Sequence, residues 1–284
     1  MQPSTILDRE EYIEQAYFFR LFRERLGENL PAQEILTMAD QELLSSTRLP
    51  MAVQFLASEM KHSGLLGSGF DRLSHYFHRF QAFLMNESED EDRKFTTNVA
   101  LLVLEREAYY RGNQPTPAGL FVFQFETITR NRLNYFRGID AMLEDPIYDS
   151  DWRGFLANVR KQVGTTDFCE LIYRRSQWIV LEQKRLHPNY EPNVPILFAE
   201  KEGKIAKASR GRDPLFLFAA LQRQLGYPEV PKPKKKDEAA TQLEMLQHKV
   251  REMDARLKLV EAETRGGPID LQQFMDKPLP TDDE

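Results

Sequence analysis

Cysteine is almost missing from this chain: Cys169 is the only one in 284 residues. A lone cysteine excludes an intrachain disulfide and a multi-cysteine zinc site. Long apolar runs are missing as well. The longest, Leu215 to Leu221, falls far short of the roughly 20 residues a membrane-spanning helix needs. No charged segment followed by an apolar stretch opens the chain, so no secretory signal is expected and a cytoplasmic location is the default. The glycine signatures of nucleotide and acyl-transfer enzymes are absent too. There is no Gly-x-x-x-x-Gly-Lys-Ser/Thr, no Gly-x-Gly-x-x-Gly and no Gly-x-Ser-x-Gly.

Core-forming material is plentiful. Hydrophobic residues make up 41% of the chain and aromatics 11%, with 19 Phe. That excludes a chain disordered throughout and allows a sizeable core. The net charge of −6 hides a segregation. Residues 1–152 carry 15 Lys/Arg against 24 Asp/Glu, residues 153–236 carry 17 against 8, and residues 237–284 carry 6 against 12. A basic middle between acidic flanks meets either an external anion or the acidic parts of its own assembly.

Periodicity makes the first part helical. An apolar stripe runs from Asp8 to Leu26 with Gly27 after it, and Pro31 and Pro50 sit where helices begin. Helices are expected over Pro50–Gly64, from Ser68 or Gly69 to Asn86, and from Lys94 to Arg111. Three more are expected from Thr116–Pro117 to Arg137, from Ser150 to Gly164, and from Thr166 to about Leu186. Glu87–Asp92 reads as a solvated acidic loop, and Gly64 to Gly69 as a flexible turn. Residues 106–112 and 132–138 echo each other, which reads as two helices ending alike on an aromatic, Arg and Gly. After a proline-rich stretch from His187 to Pro195, a β-hairpin is expected near residues 196–208, turning at Lys201–Glu202–Gly203. Asp213–Pro214 starts a helix that ends at Gly226.

The fold class is therefore mainly α, with that small hairpin. Residues 1–227 form a helical globular domain and residues 228–238 a Pro/Lys linker. Residues 239–264 form a coiled coil, and residues 265–284 an acidic flexible tail. The seam of the coiled coil starts at Ala239 and continues through Leu243, Leu246, Val250, Met253, Leu257 and Val260, spaced alternately four and three apart. In a parallel dimer Lys249 faces Asp254 and Arg256 faces Glu261, opposite signs in both pairs. In the tail, Ile269, Leu271 and Phe274 make a short docking segment of the kind that orders on a partner.

Three functions compete. The first is a non-catalytic cytosolic scaffold or adaptor. It self-associates through the coiled coil and presents a basic surface to an acidic protein partner, or to its own acidic segments. The anion-binding candidates are Arg174, Arg175, Lys201, Lys204, Lys207, Arg210, Arg212, Lys234, Lys235 and Lys236. On a hairpin these lysines alternate between faces and form no single stripe. The second is sequence-tolerant nucleic-acid binding by the same cations, without any base-reading motif. The third is a carboxylate-bridged di-metal enzyme. Its one lead is Glu59-x-x-His62, with Glu14, Glu105 and Glu126 as further carboxylates and no second Glu-x-x-His. Cys169 reads as a buried small hydrophobe. No cofactor and no membrane association are expected, and no catalytic residue is assigned.

Overall fold

In the computed structural model, which describes residues 6–90 and 94–232, every residue from Gly119 to Ile128 is buried. This stretch belongs to a helix, Pro117–Asn131, that is apolar nearly all round and so can only be a core helix. Thr116 caps it by accepting from the Gly119 amide, and Pro117 takes the first helical position. Thirteen helices and no strand are formed among the described residues. In chain order they are α1 Arg9–Gly27, α2 Ala32–Glu42, α3 Leu49–Ser63, α4 Gly67–Arg72, α5 Arg79–Ser88, α6 Thr97–Gly112 and α7 Pro117–Asn131. There follow α8 Tyr135–Leu143, α9 Ser150–Gln162, α10 Phe168–Arg174, α11 Gln177–Leu186, α12 Glu200–Ala208 and α13 Pro214–Leu225. The described residues belong to the first of two compact units, Met1–Pro233 and Lys234–Glu284. No helix among them is long and apolar enough to cross a membrane.

Packing proceeds from α7 outward. α1 lies along α6, while α2 and α3 pair beside them. α7 touches α8 and α13, and α10, α11 and α12 pack together at the other end. One apolar cluster runs through all of it, from Leu7 to Val230. Phe121 is the aromatic hub of the second half, with the rings of Phe125, Trp152, Phe155, Phe168 and Phe198 around it. Such ring pairs add about 0.5–1.5 kcal/mol each beyond area burial.

Several long helices expected from periodicity are broken. The one from Ser68 to Asn86 divides into α4 and α5, because His78 is extended and turns its backbone N–H to the Gln81 side chain at 3.0 Å. The one from Thr116 to Arg137 stops where Arg132 adopts a left-handed conformation, and Asn134 then caps α8. The echoed segments 106–112 and 132–138 therefore have different structures, one a helix end and the other a helix–helix turn. The helix from Thr166 to Leu186 breaks at Arg175–Ser176, where Ser176 forms a parallel bridge with Phe198.

The acidic run after Asn86 is not all solvated. Glu87 is buried and accepts from the Asn134 amide, and Glu89 accepts from the amides of Leu66 and Gly67 at the start of α4. The Gly64–Gly69 stretch likewise becomes the C-cap of α3 followed by α4.

The expected hairpin near 196–208 is not formed. Residues 196–198 run extended against Arg175–Gln177, but Glu200–Ala208 is helical. Glu200 and Glu202 lie in its first turn and Lys207 in its last, the arrangement the helix dipole favours. Glu200 also pairs with Lys204 one turn on. Gly203 is not a turn residue. It lies inside the helix, where a Cβ would come within 2.2 Å of Ser176 Oγ and 2.6 Å of Trp178 Cβ. Glycine is there for close packing.

Candidate interaction surface

Among the described residues, a group of buried charges gathers where α1, α5, α6 and α7 meet the end of α8. Arg111 donates to Glu107 Oε1 at 2.7 Å through Nη2, and to Asp145 on its other side. Gln124 donates to the same Glu107 oxygen at 2.9 Å, and the Tyr148 hydroxyl donates to Gln124 Oε1 at 2.9 Å. Tyr12 accepts from the Leu7 amide and lies 2.9 Å from His78 Nε2. The direction of that bond follows the imidazole tautomer, and His78 Nδ1 is buried without a hydrogen-bond partner among the described residues.

Burial sets the protonation of this cluster. It lowers His78 to about 3, helped by the nearby Arg111 charge. Burial raises Glu107 despite Arg111 beside it. Asp145 feels the same burial, but Arg111, His78 and two further hydrogen bonds outweigh it and hold the carboxyl below its usual range. These groups face one another, and the surface concavities over α1, α6 and α9 are lined by other residues. The cluster ties helices together.

The residues singled out for metal chemistry are engaged separately. Glu59 pairs with Arg72, Glu14 accepts from the Leu44 amide, Glu105 pairs with Arg23, and Glu126 pairs with Arg130. His62 is exposed. Among the described residues no three His, Cys, Asp or Glu side chains are grouped to hold a metal. Cys169 is buried, and burial with Asp167 nearby pushes its thiol up to about 12, so it stays protonated at neutral pH.

The basic candidates converge at the α10–α12 end. On a helix a spacing of three puts Lys201, Lys204 and Lys207 on one exposed face of α12, opposite the buried Glu202, Gly203 and Ala206. Exposed Arg210 and Arg212 follow in the turn after α12, and exposed Leu215 and Phe216 come next in the chain. Aromatic rings underlie it. Lys204 Nζ lies 4.4 Å and Arg185 5.6 Å from the Trp178 ring centre, and Arg210 lies 4.0 Å over Tyr173.

Some of the charge is answered locally. Lys204 pairs with Glu200, Lys207 with Glu182, and Arg174 and Arg210 share Glu170. These are largely exposed pairs, each contributing about 0–1 kcal/mol, so an incoming carboxylate can replace them. Arg175, Lys201 and Arg212 carry no ion pair among the described residues.

Lys234, Lys235 and Lys236, the seam from Leu243 to Val260 with Lys249, Asp254, Arg256 and Glu261, and the docking segment Ile269, Leu271 and Phe274 lie outside the described residues. Sequence reasoning missed the buried cluster, although Glu107 and Arg111, four apart among apolar residues, were a readable signal. It also missed Asn158, Gln162 and Val194, which line a concavity with Arg174 and Arg175 and have no pattern of their own. No protein-family model, curated protein or solved structure matches the chain.

Proposed function

We propose that this protein is a self-associating, non-catalytic adaptor of the cytosol whose basic face, α10 to α12, receives an acidic protein segment. The observation that carries this reading is the alignment of Lys201, Lys204 and Lys207 on one face of α12, with Arg210 and Arg212 in the turn that follows. The helix supplies the stripe that a hairpin lacks. Self-association is read from the alternating four-three spacing of Leu243 to Val260, and the opposite-sign pairs Lys249–Asp254 and Arg256–Glu261 favour a parallel dimer.

The aromatics beneath the stripe favour protein over nucleic acid as partner. Trp178 and Tyr173 already carry Lys204, Arg185 and Arg210 over their rings, so those faces do not offer a stacking platform for bases. The test is anisotropy of fluorescein-labelled polyglutamate and of a single-stranded oligonucleotide of equal charge, titrated with the full chain. Polyglutamate binds more tightly, weakens as salt rises, and loses about ten-fold in affinity in the Lys201→Glu/Arg212→Glu double variant. Tighter binding of the oligonucleotide, or no effect of the double variant, contradicts the proposal.

A further inference from the structure

We infer that the concavity between α9, the end of α10 and the 194–198 strap is the specificity pocket of this basic face, and that it takes an aliphatic side chain next to a carboxylate. The inference rests on the acidic-partner reading and adds where, and by what chemistry, one such segment is recognised.

The pocket measures about 210 Å³, with Phe155, Leu171 and Val194 as its apolar surfaces and Asn158, Gln162, Arg174 and Arg175 as its polar ones. Small-molecule and cofactor sites occupy roughly 300–1,000 Å³. This one is sized for a single side chain and its neighbour. Its walls are held in place. The amides of Leu197 and Phe198 both donate to the Arg175 carbonyl, and the Gln177 amide donates to the Phe198 carbonyl, which pins the strap to the break between α10 and α11. Gln162 donates to Asn158 Oδ1 at 3.0 Å, one turn back along α9.

Arg175 is the cation without an answer. A guanidinium has five N–H donors, and Arg175 commits one nitrogen, Nη1, to the Pro195 carbonyl at 3.3 Å. It lies 5.8 Å over the Phe155 ring and is partly buried, without an ion pair among the described residues. Its neighbour Arg174 already leans on Glu170. Partial burial lowers Arg175 from the usual arginine range, with only the more distant Asp151 opposing. A carboxylate placed at this rim gains a fork-shaped donor pair and relieves an uncompensated charge.

The rest of the pocket decides which carboxylate. Phe155 has Arg175 over its face, so the remaining apolar surfaces are the aliphatic Leu171 and Val194, which suit a Leu or Ile and not a nucleobase. Val194 is 40% exposed, a large share for a valine on an otherwise ordered strap.

The test uses the full chain and two fluorescein-labelled octapeptides, one with Leu-Asp-Leu-Glu at its centre and one with Leu-Asn-Leu-Gln. The acidic peptide binds, and the amide peptide binds about ten-fold more weakly. Arg175→Gln and Val194→Glu each weaken the acidic peptide about ten-fold, whereas Lys61→Gln, at an exposed lysine of α3, changes it less than about two-fold. Val194 is exposed, so that variant blocks the pocket without depending on the fold tolerating a change at Arg175. Equal affinity of both pocket variants and wild type overturns the inference. So does displacement of the peptide by an oligonucleotide at lower concentration than by polyglutamate. If polyglutamate binds and the acidic peptide does not, the pocket is wrong and the basic face stands. If neither binds, the acidic-partner reading itself fails.

Discussion

Arg111 stands between two buried carboxylates, Glu107 and Asp145, and neither has water to fall back on. Removing it leaves both uncompensated. Arg111→Met is expected to cost about 3–5 kcal/mol in urea denaturation. Glu107→Gln is expected to cost less than half as much. Burial already favours the neutral carboxyl there, Glu107 Oε1 keeps its role as acceptor in the amide, and Oε2 has no partner to lose. Equal costs for the two variants contradict this assignment.

His78 gives the same cluster a pH signature. Its folded value, about 3, lies below its ordinary 6.5, so the unfolded chain binds the extra proton. The stabilisation is complete above the unfolded value and is lost as pH falls from about 6.5 toward 3, at no more than about 1.4 kcal/mol per pH unit. Glu107, raised, works in the opposite direction from its unfolded value upward. Asp145, lowered, adds a loss only at still more acid pH. The His78 part of the slope is isolated by comparing wild type with a His78 variant that leaves Glu107 and Asp145 in place. His78→Gln keeps a hydrogen-bonding side chain beside Tyr12 and flattens that limb of the stability curve. An unchanged slope contradicts the mechanism.

At the scale of the element, two glycines make opposite predictions. Gly203 lies in α12 against Ser176 and Trp178, and Gly154 lies in α9 with nothing within 4 Å of an added Cβ. Gly203→Ala forces the α11–α12 contact apart and destabilises by about 1–3 kcal/mol despite its better helix propensity. Gly154→Ala has only the propensity term and stabilises by roughly 0.5–1 kcal/mol. Thermal melts of the two variants should move in opposite directions.

The same comparison explains what was legible beforehand. Helix starts carried by local chemistry were readable: Thr116–Pro117 caps α7, Asp213–Pro214 caps α13, and Gly226 ends α13 in the left-handed conformation. Breaks set by distant partners were not. His78 ends one helix because it is buried with Tyr12, and Ser176 ends another because Phe198 pairs beside it. Gly203 looked like a turn residue because the surface it packs on is far away in sequence. The basic candidates were visible as residues, but their alignment needed the helix, and the Arg175 pocket needed three separate segments brought together.

At the scale of the molecule, the charge of −6 resolves into an acidic first part, a basic face and an acidic C-terminal segment. Within the basic face, local acids answer Lys204, Lys207, Arg174 and Arg210, while Arg175, Lys201 and Arg212 carry no ion pair among the described residues. In the proposed reading, one such face receives one acidic segment. On that reading, two or more faces joined through the proposed coiled coil would make an adaptor, because linked sites raise apparent affinity for a partner with several acidic segments. Self-association is therefore the central claim, and mass in solution by light scattering tests it most directly. The full chain, 33.2 kDa per copy, is expected to behave as a dimer, and Val250→Asp with Leu257→Asp is expected to return it to a monomer. A monomeric wild type, or an unchanged oligomer in the double variant, would contradict the account.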